Sequence, residues 1–177
     1  MTRMIAAVAA ALVTAAVLVA SAGASSGRSS STTVSGLDEM SLQTSMQGDL
    51  FEIAGGKLAL KKSHTRAVDA LAKRLIKDHT KSYLEAAKVA KTLGITIEKT
   101  PTPTQTWQLL TLAKVSGRTF DQWYTSLEVY DHTQDIQETA GEIRDGSNPQ
   151  VVGTAKQDLP MLKMHLKLSK AALRAVK

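Results

Sequence analysis

From Leu37 to the C-terminus, apolar residues recur at steps of three and four and almost nowhere alternate as a half-buried strand requires. The period is helical, and the punctuation cuts the stretch into four long helices. The first reads LDEMSLQTSMQGDLFEIAGGKLALKK, with Met46, Leu50, Ile53 and Leu60 as its expected buried side. The second starts near Thr65 and carries Val68, Leu71, Leu75, His79, Ala86 and Leu93 on one seam. Gly94 then stands where a left-handed residue commonly stops a helix. The third runs from about Thr119 to Arg144 and is closed by Gly146. The fourth has the clearest start, with Asn148 as N-cap and Pro149 at the first helical position, where a missing N–H costs nothing. Pro160 lies inside this last helix and is expected to bend it, because the Lys156 carbonyl loses its usual donor.

The second and third helices are joined by a long connection, Ile95 to Arg118, stiffened by Pro101 and Pro103 and holding a short helical piece, TWQLLTLAKV. Two helical hairpins joined by such a crossover predict an all-α, ferritin-like four-helix bundle. ITI and VV, which look β-like, sit beside helix punctuation. Ala54–Gly56 falls within a helix, where small residues admit a close neighbour rather than cradle a phosphate.

Ahead of the bundle, Arg3, an apolar run from Ile5 to Ala20, and the small residues SAGA form the three-part pattern of a secretory signal. Residues 1–24 are read as that signal, with cleavage expected after Ala24. An uncleaved anchor is the competing reading, since the run nears the lower limit of a spanning helix. Residues 25–36, SSGRSSSTTVSG, read as a flexible linker, and 37–177 as one bundle domain, periplasmic or secreted. No cysteine is present, so no disulfide supports the fold in an oxidising compartment. The net charge is +6, of which Arg3 would leave with the signal.

Asp-His-Thr occurs twice, at 78–80 and 131–133, in a chain with four histidines. His79, His132 and His165 lie near the middles of the second, third and fourth helices, and Glu52 near the middle of the first. Helix midpoints stay level whichever way a helix runs, so these four groups are expected at one depth. His132 is placed on the flank of its helix, beside Val129 and Ile136. A duplicated hairpin would pair the second helix with the fourth, so duplication does not explain the triplets.

Di-iron bundles add Glu-x-x-His pairs to their carboxylates. Here Ile76, Val129 and Leu162 precede the histidines by three and only Glu52 matches the carboxylate part, so oxygen-activating or iron-storing chemistry is not expected. Three imidazoles and Glu52 remain a candidate site for zinc or copper. Asp78 and Asp131 sit about 100° round the helix from their neighbours, placed to hydrogen-bond a ligand or face water rather than to ligate. The favoured reading is that each histidine is a buried, hydrogen-bonded group fixing helix register. His64, at the start of the second helix, is expected in solvent.

GDLFEIAGGKLALKKS, AKRLIKDHTK, SGRTFDQWYTSLEVYDHTQDI and LPMLKMHLKLS together resemble, over Leu37 to Ala172, the landmarks of a bacterial exported family, domain of unknown function 4142. Some members of that family are labelled outer-membrane proteins. The resemblance implies a ferritin-like fold and an exported location, and no reaction. Glu52, His79, Phe120, Asp121, His132, Pro160 and His165 fall on the family's recurrent positions.

No nucleophile elbow, phosphate loop or paired-cysteine motif is present, and no enzyme activity is expected. Lys163, Lys167, Lys170, Arg174 and Lys177 recur at steps of four and three and form one stripe on the last helix. The stripe suits the negative end of the helix dipole, and it offers contact to an anionic envelope polymer or lipid surface. Without interleaved aromatics it does not suggest nucleic acid. The aromatic cluster FDQWY on the third helix leaves the chain a monomer or a weak dimer. The sequence thus reads as an exported binding or structural bundle, with a histidine metal site as the alternative.

Overall fold

The computed structural model describes residues 33–177, so the expected signal segment and most of the expected linker lie outside the described residues. Five helices follow in order: α1 Gly36–Lys62, α2 Arg66–Leu93, α3 Pro103–Leu112, α4 Gly117–Asp145 and α5 Pro149–Val176. The described residues contain no strand. The chain is an all-α helical bundle, with four long helices and a short α3 inside the crossover. None of the described helices is long and apolar enough to cross a membrane.

Local chemistry sets most boundaries. Ser35 caps α1 in a capping box with Asp38, whose carboxylate also accepts from Ser147 N, Ser147 Oγ and Asn148 N at 2.8, 2.6 and 2.9 Å. One buried carboxylate therefore ties the start of α1 to the turn between α4 and α5. Burial pushes Asp38 up, but the hydrogen bonds from Ser147, Ser35 and Asn148 outweigh it and hold it well below the usual carboxylate range. Gly94 ends α2 in the left-handed conformation, at φ +69°. Asn148 accepts from Gln150 N and Val151 N to start α5. The short α3 begins at Pro103, three residues before the expected piece, because Thr102 and Gln105 form a second capping box there.

The buried side of α1 differs from the expected one. It consists of Asp38, Leu42, Met46, Gly48, Asp49, Phe51, Glu52, Gly55, Gly56 and Ala59, whereas Leu60 is exposed and Leu50 and Ile53 are half-buried. Asp49, Glu52, Gly55 and Gly56 occupy core positions that a purely apolar period assigns elsewhere. Gly56 is needed for packing: a Cβ there would lie 2.8 Å from Ile76 Cγ1 and 3.1 Å from the Ala72 carbonyl of α2. Pro160 lies on the exposed side of an α5 that continues through it, as does Lys156, so water reaches that turn.

Two apolar clusters close the bundle. One gathers Val68, Leu71, Leu75, Phe120, Tyr124, Ala172 and Val176, with Leu112 of α3. The other, at the opposite end, holds Leu42, Met46, Ala86, Ala90 and Val151. The layer between them is polar.

Candidate metal centre

Burial of the three mid-helix histidines is near complete: His79 is 2 % exposed, and His132 and His165 are at 0 %. His132 is therefore in the core and not on the flank of its helix, because α4 turns its Phe120, Tyr124, Glu128 and His132 side inward. The rings meet. Centroids are 5.6 Å apart for His79 and His132, 5.0 Å for His79 and His165, and 5.3 Å for His132 and His165.

Each ring is anchored through one nitrogen. His132 Nδ1 lies 2.8 Å from the Glu128 carbonyl one turn earlier. A carbonyl has no proton to give, so Nδ1–H donates and Nε2 keeps its lone pair. His165 Nε2 is 2.9 Å from Asp78 Oδ2. Burial raises Asp78, but hydrogen bonds from His165 and Arg74 overcome it and hold its carboxylate below the ordinary range. It accepts from His165, leaving Nδ1 free. His79 Nδ1 is 2.8 Å from Asp49 Oδ1. Burial pushes the Asp49 carboxyl well up, more than its hydrogen bond from Ser82 lowers it, so His79 Nε2 has a free lone pair only when the proton of this pair sits on Nδ1. The second nitrogens, His79 Nε2, His132 Nε2 and His165 Nδ1, are buried without a hydrogen-bond partner.

One nitrogen from each histidine lies within 4.8 Å of the others. The centroid distances decide whether this can be a site. A ring centroid lies about 1.1 Å behind its ligating nitrogen. Three imidazoles at about 2.0–2.1 Å from one ion therefore have centroids about 5.1–5.5 Å apart, for tetrahedral to trigonal angles. The 5.3 Å side falls within that range, and the 5.0 and 5.6 Å sides lie just outside it on either side. Burial, followed by mutual repulsion for His132 and His165, depresses all three: His79 and His165 to about 4 and His132 to about 3. They are neutral at pH 7, the form that ligates a metal.

Glu52 belongs to an adjoining group. It clusters with Glu128 and His132, its Oε1 3.8 Å from His132 Nδ1, the anchored nitrogen, with Glu128 Oε2 3.7 Å from the same atom. Glu52 therefore stands behind His132, and the two groups share that residue. Burial pushes Glu52 and Glu128 well up, Glu52 further because of the Glu128 charge. Sequence reasoning missed Glu128, since the ligand search tested residues three before each histidine and Glu128 is four before. It also missed Asp49, which lies three before Glu52 on the same face of α1. Asp78 supports His165 on another helix, and His64 is exposed.

The profile of a family described as a domain of unknown function, DUF4142, matches residues 23–172. The chain belongs to this family. No curated protein matches it. The DUF4142 bundle is similar to a crystal structure of a DUF305 fragment from Deinococcus radiodurans, with a TM-score of 0.71 and 13 % sequence identity. The alignment covers 80 % of this chain and 97 % of that one. At such identity the likeness speaks for the fold alone, a helical bundle.

Proposed function

We propose that this DUF4142 protein is a non-enzymatic, exported metal-binding bundle that holds one zinc or copper ion between His79, His132 and His165. One observation carries the reading. Three buried imidazoles each have one nitrogen anchored to an oxygen and a second without a hydrogen-bond partner, and one nitrogen from each ring lies within 4.8 Å of the other two. A register-fixing histidine needs the anchor, but nothing in that role requires three rings to meet. Oxygen partners on the far nitrogen are what orient metal-bound imidazoles. Neutral nitrogen ligands suit zinc and copper better than the oxygen-seeking magnesium or calcium.

Elemental analysis of the mature protein, purified without chelators or a histidine tag, tests this. About one zinc or copper per chain is expected for the native protein and for His64→Ala, with loss of the metal in His79→Ala and His132→Ala. A native protein that carries no zinc or copper, and takes up neither on dialysis, contradicts the reading.

A second reading concerns the surface. Lys163, Lys167, Lys170, Arg174 and Lys177 are all exposed, and among the described residues none of them forms an ion pair. This supports docking of α5 on an anionic envelope polymer or lipid surface. Co-sedimentation with anionic vesicles that falls as salt rises, and that neutral vesicles do not reproduce, is the expected result.

A further inference from the structure

A cavity of about 380 Å³ is bounded by all four long helices and reaches His79 and its anchor Asp49. Its walls are acidic. Asp135, Glu138 and Glu142 of α4 and Asp158 of α5 line it, together with Arg144, whose charge is engaged by Asp145. Burial pushes all four carboxyls up, Glu142 and Asp158 to about 7, so the negative charge of the wall grows as pH rises and the route is tested at pH 8. Two of its lining side chains, only 3 % and 2 % exposed, carry buried atoms without a hydrogen-bond partner, Asp49 Oδ2 and His79 Nε2.

Two glycines hold the cavity open. Gly48 of α1 and Gly141 of α4 line it from within their helices, and a Cβ at either position would meet nothing within 4 Å. Glycine in a helix interior costs about 0.5–1 kcal/mol relative to alanine. Gly56 has a steric reason to be glycine, whereas these two have none. A larger side chain at either position would fill the passage.

We propose that this cavity is the route by which a divalent cation reaches the histidine trio, with Asp135, Glu138 and Asp158 drawing it in towards Asp49 and His79. The proposal rests on the metal-binding reading above. A cleft lined by one sign of charge raises the local concentration of the opposite ion and its rate of association. Carboxylate oxygens also give a hydrated cation successive partners as it sheds water on the way to nitrogen ligands. The carboxylates act on the rate of loading, and the trio sets the affinity.

Stopped-flow mixing with Cu²⁺, followed by quenching of aromatic fluorescence, tests this. The triple variant Asp135→Asn, Glu138→Gln, Asp158→Asn is expected to load about tenfold more slowly at low ionic strength. Its rate should lose the salt dependence of the wild type. Gly48→Leu, or Gly141→Leu if the first variant loses helical content, should slow loading and release by the same factor. Each variant should still hold one copper per chain with an unchanged visible spectrum. Wild-type loading rates in both kinds of variant would overturn the route while leaving the site intact. Wild-type rates with weaker binding in the triple variant would also overturn it, by making the carboxylates ligands. Failure of the wild type to take up copper or zinc would remove site and route together.

Discussion

The ends of the bundle and its middle are built on opposite principles. At the Leu75 end an apolar cluster outnumbers the buried polar groups Ser63, Asp121, Thr125 and Ser169, and each fully buried Val, Leu or Phe contributes about 1.5–3 kcal/mol. In the middle, His79, His132, His165, Glu52 and Glu128 fill the space that leucines would fill in an ordinary bundle. Several of their polar atoms have no partner, at about 1–3 kcal/mol each. The ends hold the helices together, and the middle draws on that stability to keep three imidazole rings buried against one another. On the metal-binding proposal, an ion bound by the trio offsets that cost.

Substitutions in the two regions should therefore behave differently towards metal. The largest effect is expected from Leu71→Ala, which leaves a void in the apolar end and costs about 2–5 kcal/mol. Denaturant unfolding should show the same loss with and without a chelator, since Leu71 lies about two helical turns before His79. Asp38→Ala should cost about 3 kcal/mol at pH 7, because it strands the Ser147 and Asn148 donors at the joint between α1 and the α4–α5 turn. The Asp38 carboxyl is depressed in the folded state, so its contribution is complete above the ordinary carboxylate range. Variant and wild type should converge only as pH falls through the depressed value, in strong acid.

A smaller, opposite effect is expected at Glu142, which burial, and then the nearby Asp38 charge, push from 4.5 to about 7. Between those values the folded protein keeps a proton that the unfolded chain has lost. Stability should therefore decline as pH rises through that window. Glu142→Gln should flatten that decline and leave the variant about 2 kcal/mol more stable at pH 8. An unchanged slope between pH 4.5 and 7 would show that Glu142 is ionised in the fold.

Helix number and punctuation were legible in the sequence because they are local: Gly94, Gly146, Asn148 and Pro149 act within a turn of themselves. The common depth of the histidines was legible too, since helix midpoints stay level in a bundle. The phase of α1 was not, because Asp49, Glu52, Gly55 and Gly56 face the core for reasons that only their partners supply. His132 was misplaced on a flank for the same reason, its companions on the inner face being Glu128 and Tyr124. Glu128 was within reach of a one-turn search at four residues. The anchors of His79 and His165 were not, because Asp49 and Asp78 meet them across 30 and 87 residues of chain. The sequence favoured packing because buried histidines commonly find hydrogen-bond partners; the structure shows such partners and also brings one nitrogen of each ring within 4.8 Å of the others.

X-ray absorption at the copper or zinc edge of the native protein, loaded with one equivalent, reads the ligands of the trio themselves. An inner shell containing three imidazole nitrogens at about 2.0–2.1 Å is expected for zinc, with similar lengths for copper, and loss of that imidazole signal in His132→Ala. An inner shell of oxygens alone, or the same spectrum from His132→Ala, would contradict metal binding by the trio.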